Sequence, residues 1–219
     1  MSCSTDTLQI GGSVAGLMHA LVLKALGRSV LVLESRQPSD LKAQAAGLSL
    51  GPHAQEVMKN FVGGDDIYGL HNPASQIMAK EGNVMVELPI NTAVMTSSWS
   101  VVFDRLMNKF ENEEESEGRG KYDTAKRVVG VDDMRDSVVV RYRADGVEGE
   151  KTVTAKLVVA ADGCRSSIRH QLAPEIQTKY AGYRAWRGCV AESEAPETLQ
   201  GIFDGKLVMH MPGGSYILA

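Results

Sequence analysis

The amino-acid sequence predicts an α/β fold that is built on a parallel β-sheet. A short apolar segment, residues 8–10, runs into the glycine-rich turn 11–16 and then into a helix that reaches about Leu26. Residues 29–33 and 157–161 are continuous apolar runs, which are typical of strands covered by helices on both faces. A strand, a glycine-rich turn, a helix and a second buried strand, in this order, define a βαβ unit of the Rossmann type.

The remaining elements follow from periodicity and turn residues. Gly27 stands where a left-handed helix C-cap is expected, and residues 81–83 favour a hairpin turn inside segment 76–90. Ser98 is placed to cap a helix over 99–110. We also predict a helix over 54–61, a solvated acidic loop over 111–120, a β-meander of strands 127–131, 137–143 and 151–155, and extended segments at 180–191, 201–211 and 216–219.

Composition excludes several classes of function. The formal net charge is −4 and the basic residues are scattered, so no electrostatic footprint for nucleic acid is present. The three cysteines are far apart and the five histidines are isolated, which argues against disulfides and metal ligation and fits a reducing compartment such as the cytoplasm. We read neither a signal peptide nor a membrane span, and a small molecule is the expected partner.

The glycine-rich turn predicts a dinucleotide site. Gly11 and Gly12 suit a tight turn, and Ala15 and Gly16 would let the helix and the strand approach each other. Ser13 replaces the middle glycine of the common G-x-G-x-x-G pattern and adds a hydroxyl that can bond phosphate. The N–H groups and the dipole of the helix N-terminus then face the pyrophosphate. The alternative is a compact βα turn without a ligand.

Glu34 closes the second strand, about twenty residues beyond the turn. A carboxylate at this place accepts hydrogen bonds from the adenosine ribose and repels a 2′-phosphate, which favours FAD or NAD over NADP. The alternative is an exposed acid at a strand end.

Four segments together resemble the single-component FAD-dependent aromatic hydroxylases, and within them the subgroup similar to 2,6-dihydroxypyridine hydroxylase. The segments are GGSVAGL at 11–17, AGLSLGP at 46–52, LVVAADGCRSSIR at 157–169 and YAGYRAWRG at 180–188. The resemblance covers the chain nearly from end to end, as the N-terminal portion of such an enzyme. An NAD-dependent dehydrogenase is a weaker alternative, because the Asp-Gly motif and the hairpin are not expected there.

The resemblance implies a set of cofactor-binding residues. The ADP half of FAD would be held by Gly11, Gly12, Ser13, Ala15, Gly16 and Glu34. Gly47 and Leu48 would lie near the flavin, and Asp162 and Gly163 would serve both FAD and a transient NADH or NADPH, with Arg165 as a phosphate contact. Arg105 would match a helical arginine near FAD, and an exposed helical arginine is the alternative. An ordinary turn is the alternative for Asp162 and Gly163.

The activity that the resemblance implies is hydroxylation of a small aromatic substrate by O₂, with NADH or NADPH as reductant, through a flavin C4a-hydroperoxide. Because the cofactor performs the bond-making, no side chain is assigned as catalytic. Candidate ring-facing residues are Tyr183, Arg184, Trp186 and Arg187, and sheet packing with solvated arginines is the alternative.

The resemblance also predicts the domain organisation. Residues 1–172 would form the FAD-binding domain, hairpin 76–90 would join the substrate domain, and residues 173–219 would form part of an antiparallel substrate-domain sheet that is incomplete in this chain. Gln44 replaces an arginine of many relatives, and a later Gly-Asp motif of the family is absent from the sequence. The alternative function is therefore a truncated, non-catalytic FAD-binding relative or a fragment that needs a partner chain. An unpaired edge at 216–219 would favour self-association.

Overall fold

The computed structural model describes residues 3–42, 46–63, 69–70, 74–89, 94–112, 118–188, 190–203 and 205–219. They fall into two compact units. The first unit comprises Met1–Gln44, Asn60–Gly63 and Val102–Ala185, and the second comprises Ala45–Lys59, Gly64–Val101 and Trp186–Ala219.

Strands and helices alternate through the first part of the chain, as an α/β fold requires. The strands are β1 Cys3–Ile10, β2 Val30–Leu33, β3 Gly47–Leu50, β4 Ala74–Met78, β5 Val84–Pro89, β6 Met95–Ser98, β7 Gly120–Asp123, β8 Lys126–Asp133, β9 Val138–Ala144, β10 Lys151–Ala160, β11 Lys206–His210 and β12 Ile217–Leu218. The α-helices are α1 Val14–Ala25, α2 Pro38–Lys42, α3 Pro52–Val57, α4 Trp99–Glu111, α5 Ser167–Leu172 and α6 Glu197–Phe203, with a π-helical turn at Met58–Val62 and a 3₁₀ turn at Glu192–Glu194.

The first unit is built on a six-stranded sheet in the order β7-β2-β1-β10-β9-β8. Its first four strands are parallel, and their carboxyl ends coincide: Ile10 is in register with both Leu33 and Ala160, and Leu33 with Asp123. This confirms the predicted α/β class. Ligands of such sheets bind beyond the carboxyl ends of the strands, so this edge is where a site is expected.

Strand β10 joins the parallel and the antiparallel halves of the sheet. Its first five residues pair antiparallel with β9, and Val153–Ala160 pair parallel with β1. The sequence suggested two strands, 151–155 and 157–161, and this division is wrong. Lys156 lies between them and stays in the strand, where its exposed ammonium group reaches Asp6 Oδ1 at 2.9 Å.

The core of the first unit lies between this sheet and α5. It contains Leu8, Ile10, Leu33, Val128, Val131, Val140, Val153, Ala155 and Ile168, all nearly inaccessible to solvent. Burying an aliphatic side chain of this size contributes roughly 1.5–3 kcal/mol. The mainly β-branched and aliphatic composition suits strands that pack on both faces.

Helix α1 ends as its sequence predicts. Gly27 has φ of 74°, and its N–H donates to Lys24 O while the N–H of Arg28 donates to Leu23 O, each at 3.0 Å. This pair of bonds satisfies the last carbonyl groups of the helix in a Schellman-type cap.

Strand β7 lies in a region for which the sequence predicted no strand. The acidic loop was predicted over 111–120, of which 113–117 lie outside the described residues. Gly120 starts a four-residue edge strand that pairs parallel with β2. Its single aromatic side chain, Tyr122, gives no periodic signal, so local sequence does not reveal that this segment pairs with β2.

The second unit contains the predicted hairpin, formed by β4 and β5 with Gly82 at φ of 85°. Its four-stranded sheet has the order β12-β11-β4-β5, in which β11 is parallel to β4 and antiparallel to β12. A separate two-stranded sheet pairs β3 with β6.

Two predictions for the C-terminal part are wrong in local structure. Part of the extended segment 201–211 is helical, because α6 begins after Pro196 and the amide of Gln200 bonds the carbonyls of Glu192 and Ala195. The described residues of 180–191 form no strand. Their large side chains have no packing partner to hold a strand: Trp186 is 92% exposed.

Candidate functional site

The two predicted glycine motifs meet at the carboxyl edge of the parallel sheet. The N–H of Gly11 donates to Leu33 O at 2.9 Å, and the N–H of Ala161 donates to Ile10 O at 2.7 Å. A methyl group on Gly11 would lie 2.4 Å from Ala161 O, and Gly11 has φ of +90°. Only glycine tolerates this conformation and this contact. The fold therefore brings the glycine-rich turn and the Asp162 motif, far apart in sequence, into direct contact.

Gly16 sets the distance between α1 and β1. A Cβ atom on Gly16 would lie 1.9 Å from Gly11 O, so a larger residue would push the helix away from the turn. Ala15 is exposed, and the close approach therefore depends on Gly16. The turn is held compact against the helix N-terminus, the geometry that presents backbone N–H groups to a diphosphate.

Glu34 binds the glycine-rich turn directly. Its Oε2 accepts the N–H of Gly12 at 2.8 Å, and its Oε1 accepts the N–H of Arg36 at 2.9 Å and Nε of Arg36 at 3.1 Å. The side chain is nearly inaccessible, with 3% of the residue exposed, so the alternative of an exposed strand-end acid is wrong.

The electrostatics of Glu34 favour the carboxylate form. Burial raises its pKa, but the N–H groups of Gly12 and Arg36 and the Arg36 guanidinium outweigh burial and hold the pKa below its usual value. Hydrogen bonds to the charged form stabilise that form. Oε1 also accepts the hydroxyl of Ser35 at 3.3 Å, whereas Oε2 accepts only the N–H of Gly12 from the described residues. An oxygen of a carboxylate has two acceptor positions, so Oε2 keeps one for a ribose hydroxyl.

Tyr122 is a residue of this site that the sequence did not reveal. Its hydroxyl donates to Gly12 O at 2.8 Å, and a Cβ on Gly12 would lie 2.3 Å from that hydroxyl. Burial, and secondarily the charge of Glu34, raise the pKa of Tyr122 well above its usual range. The phenol therefore remains a hydrogen-bond donor throughout the working pH range. Tyr122 comes from β7, where no strand was predicted.

Asp162 caps helix α5. Its Oδ2 accepts the N–H of Ser167 at 2.9 Å and that of Ile168 at 3.4 Å, and Ser166 Oγ accepts the N–H of Arg169 at 2.9 Å. Gly163 turns the chain with φ of 82°. Two side chains missed in the sequence, Ser166 and Arg169, thus shape the motif.

Arg169, in the first turn of α5, supports the same turn of the chain. Its guanidinium donates to Gly163 O at 3.3 Å and to Cys164 O at 2.5 Å. The Arg169 guanidinium and the capping side chains of Asp162 and Ser166 together fix the backbone between Asp162 and α5. One sequence signal could have revealed Arg169. It is an arginine in the first turn of a helix that directly follows an Asp-Gly turn, so its guanidinium can reach the carbonyl groups of that turn.

The other predicted residues lie elsewhere. Gly47 and Leu48 are on β3 of the second unit, paired with Ser98 and Ser97. Arg105 lies in the middle of α4 in the first unit and is partly buried. Gln44 lies outside the described residues.

The predicted ring-facing residues Tyr183, Arg184, Trp186 and Arg187 are exposed and belong to no strand. The alternation of strand side chains that the sequence suggested therefore does not apply to them. Among the described residues, no group of three or more His, Cys, Asp or Glu side chains could hold a metal ion. Within the same part of the chain, no helix is long and apolar enough to cross a membrane.

A parallel sheet with this glycine-rich turn, and with an ionised glutamate closing its second strand, defines a dinucleotide-binding domain. Residues 4–213 match the family described as FAD binding domain, and the chain belongs to this family. The prediction of an FAD-binding α/β domain is thereby confirmed.

The chain is similar to flavin-dependent monooxygenases. It is 28% identical to the 2,6-dihydroxypyridine 3-monooxygenase of Paenarthrobacter nicotinovorans over 221 residues, covering 100% of this chain and 52% of the relative. It is also 28% identical to an FAD-dependent urate hydroxylase of Klebsiella oxytoca, with 94% of this chain and 54% of that protein covered. The chain thus spans about half the length of these curated relatives.

The same similarity is found among solved structures. The 2,6-dihydroxypyridine-3-hydroxylase from Arthrobacter nicotinovorans superposes with a TM-score of 0.77 at 25% identity, covering 96% of this chain and 50% of that one. The resemblance inferred from the four sequence segments is confirmed.

Proposed function

We propose that the protein represented by this chain is an FAD-dependent monooxygenase that hydroxylates a small, electron-rich aromatic ring, with NADH or NADPH as the reductant. The overall reaction converts a ring C–H, O₂, NAD(P)H and a proton into a ring C–OH, water and NAD(P)⁺. The relatives named as 2,6-dihydroxypyridine 3-monooxygenase and urate hydroxylase support a small heteroaromatic substrate. The observation that carries the proposal is the hydrogen bond between Glu34 and Gly12 at the carboxyl edge of the sheet.

The residues of this edge fit the ADP half of FAD. The turn is narrow enough for a diphosphate to approach its backbone, because side chains are excluded at Gly11 and Gly16. Glu34 is charged and lies one strand away from the turn, where a ribose hydroxyl can donate to it. The helix α1 N-terminus supplies backbone N–H groups and a positive dipole end for the diphosphate.

The protein's own residues bind and orient, and FAD supplies the activation of O₂ and the oxygen transfer when it is bound. The turn at 11–16 holds the diphosphate, and Glu34 fixes the ribose. Asp162 and Gly163 extend the same edge beside Gly11, where they would contact FAD and the incoming NAD(P)H.

The first experiment is a titration of the 219-residue chain with FAD, followed by flavin absorption and fluorescence. Gly11→Ala should abolish binding, because the methyl group would meet Ala161 O at 2.4 Å. Gly213→Ala is the matched control, since Gly213 has φ of +94° but no atom within 4 Å of an added Cβ. A control that loses binding equally would contradict the assignment of the site.

The second experiment tests the activity. NAD(P)H oxidation is followed under air with and without 2,6-dihydroxypyridine, and ¹⁸O₂ is used to trace oxygen into the product. Substrate-stimulated oxidation with ¹⁸O in the product supports the monooxygenase. Tight FAD binding without any oxygen transfer to small heteroaromatic rings would instead support the non-catalytic alternative for this chain.

A further inference from the structure

The peptide groups at Gly12 are held from two sides. The N–H of Gly12 donates to Glu34 Oε2 and its carbonyl oxygen accepts the hydroxyl of Tyr122, both at 2.8 Å. The two partners come from adjacent strands, since Tyr122 of β7 is in register with Val32 of β2. The glycine-rich turn is therefore anchored both to the end of β2, through Glu34, and to β7, through Tyr122.

The contact with Tyr122 is closely packed. The ring lies so near the Cα of Gly12 that an added Cβ would be 2.5 Å or less from three of its atoms. The ring of Tyr122 also forms an edge-to-face pair with Phe110, with centroids 6.5 Å apart and planes at 71°. Edge-to-face aromatic pairs of this kind fix ring orientation. Tyr122 therefore has little freedom to leave Gly12.

The hydrogen bond to the Gly12 carbonyl also determines the direction of the next N–H group. The peptide unit is planar and trans, so the C=O of Gly12 and the N–H of Ser13 point in opposite directions. With the carbonyl held on Tyr122, the N–H of Ser13 points away from β7. Ser13 is the N-cap residue of α1, with extended backbone angles of −75° and −174°, and its peptide N–H belongs to the turn that faces the diphosphate.

We propose that Tyr122 is a positioning residue for the diphosphate of the cofactor: it fixes the Gly12–Ser13 peptide so that the Ser13 N–H faces the anion. This inference rests on the proposed binding of FAD at the carboxyl edge. It assigns a function to a side chain 110 residues away from Gly12 in sequence. Tyr122 itself does not touch the reacting atoms.

The test compares Tyr122→Phe with the wild-type chain and with Tyr142→Phe. Phenylalanine keeps the contacts of the ring with Gly12 and Phe110, so the first variant removes only the hydroxyl. Tyr142 lies on β9 and packs against the core of the same unit, so it controls for the loss of a phenol. Dissociation constants for FAD come from flavin fluorescence, and inhibition constants for ADP and adenosine come from competition with FAD.

Misdirecting the Ser13 N–H removes one hydrogen bond to the charged diphosphate, which corresponds to about a ten- to 150-fold weaker binding of FAD and ADP by Tyr122→Phe. Adenosine lacks the diphosphate and cannot use the Ser13 N–H in this way, so its inhibition constant should change by about twofold or less. Tyr142→Phe should leave all three constants at the wild-type level.

Three outcomes overturn the inference. If Tyr122→Phe binds FAD as tightly as the wild type does, Tyr122 does not position the diphosphate-binding peptide. Equal weakening of ADP and adenosine, together with a lowered melting temperature of the cofactor-free variant, shows a purely structural role. Wild-type protein that binds neither FAD nor ADP contradicts the proposed function itself, and the inference fails with it.

Discussion

The ammonium group of Lys24 donates a hydrogen bond of 2.6 Å to the carbonyl oxygen of Phe110. It also reaches Asn112 O at 3.0 Å, and it lies 5.4 Å from the centre of the Phe110 ring. Lys24 is 1% exposed, which is rare for a lysine. Its charge is compensated by the carbonyl groups at the C-terminus of α4, where the helix dipole is negative. Lys24 thus ties α1 to the end of α4.

We predict that Lys24→Met destabilises the protein by about 1–3 kcal/mol, because methionine fills the space of the side chain but leaves the carbonyls without a donor. Lys121→Met is the matched control. Its ammonium group pairs with Asp123 at 3.0 Å on the surface, and such pairs contribute roughly 0–1 kcal/mol. Urea unfolding measures both changes. Equal stability of Lys24→Met and wild type would show that the desolvation free energy of the buried ammonium group cancels the free energy gained from its hydrogen bonds.

We predict that Glu34→Gln lowers stability and FAD affinity together. The amide group cannot accept bonds at both ends, so a buried donor of Gly12 or Arg36 loses its partner at a cost of about 1–3 kcal/mol. The pKa of Glu34 is lower in the folded protein than in the unfolded chain. Its contribution is therefore complete above the unfolded value of 4.5 and is lost as the pH falls through the folded value.

The check for Glu34 is the melting temperature of wild type and Glu34→Gln between pH 7 and pH 3. The two curves should converge as the carboxylate of the wild type becomes protonated. A difference that is constant over this range would mean that the charge of Glu34 is not the stabilising feature.

We predict that Gly16→Ala destabilises the first unit by about 1–3 kcal/mol, the usual cost of forcing an extra carbon into a packed site. The added carbon would meet Gly11 O at 1.9 Å, and α1 must shift. Gly201→Ala is the control, because Gly201 lies in α6 and an added Cβ meets no atom within 4 Å. The control should gain about 0.5–1 kcal/mol from helix propensity. Opposite signs of the two changes in thermal unfolding are the expected result.

We predict that the cap and the charge of Asp162 can be separated by two substitutions. Asp162→Ala loses the bonds to the N–H groups of Ser167 and Ile168, which costs about 0.5–2 kcal/mol. Asp162→Asn keeps an acceptor oxygen and should remain within about 0.5 kcal/mol of wild type, since asparagine caps helices as well as aspartate does. Denaturant titration measures stability. If Asp162→Asn keeps its stability but binds FAD more weakly, the charge of Asp162 contributes to cofactor binding.

The local strand–turn–helix at the start of the chain could be predicted because its signals are local. Gly11, Gly16 and Gly27 each stand where a short-range backbone requirement exists, and the structure shows the contact or the positive φ in each case. The hairpin around Gly82 is of the same kind. Glu34 could be placed at the site because its position at a strand end follows from the length of the βαβ unit.

The features that could not be predicted are those set by distant partners. Strand β7 exists because β2 offers an open edge, and nothing in four residues with one aromatic side chain reveals this. The same holds for Tyr122, which finds Gly12 across an intervening strand. The unbroken β10 follows from its pairing with β1, which continues from Val153 past Lys156 to Ala160. Local sequence contains none of these relations.

The position of β10 in the sheet has a consequence for synthesis of the protein. Strand β1 pairs with β2 through Thr7–Ile10, but its partner on the other side, β10, is made only after some 150 further residues, since Cys3 pairs with Val153. At about 5–20 residues per second, this interval is on the order of ten seconds. The glycine-rich turn is made early but gains its contact with Ala161 only after β10 has emerged. The turn therefore reaches its final packing late in synthesis, and the edge of β1 that faces β10 stays open to mispairing until then.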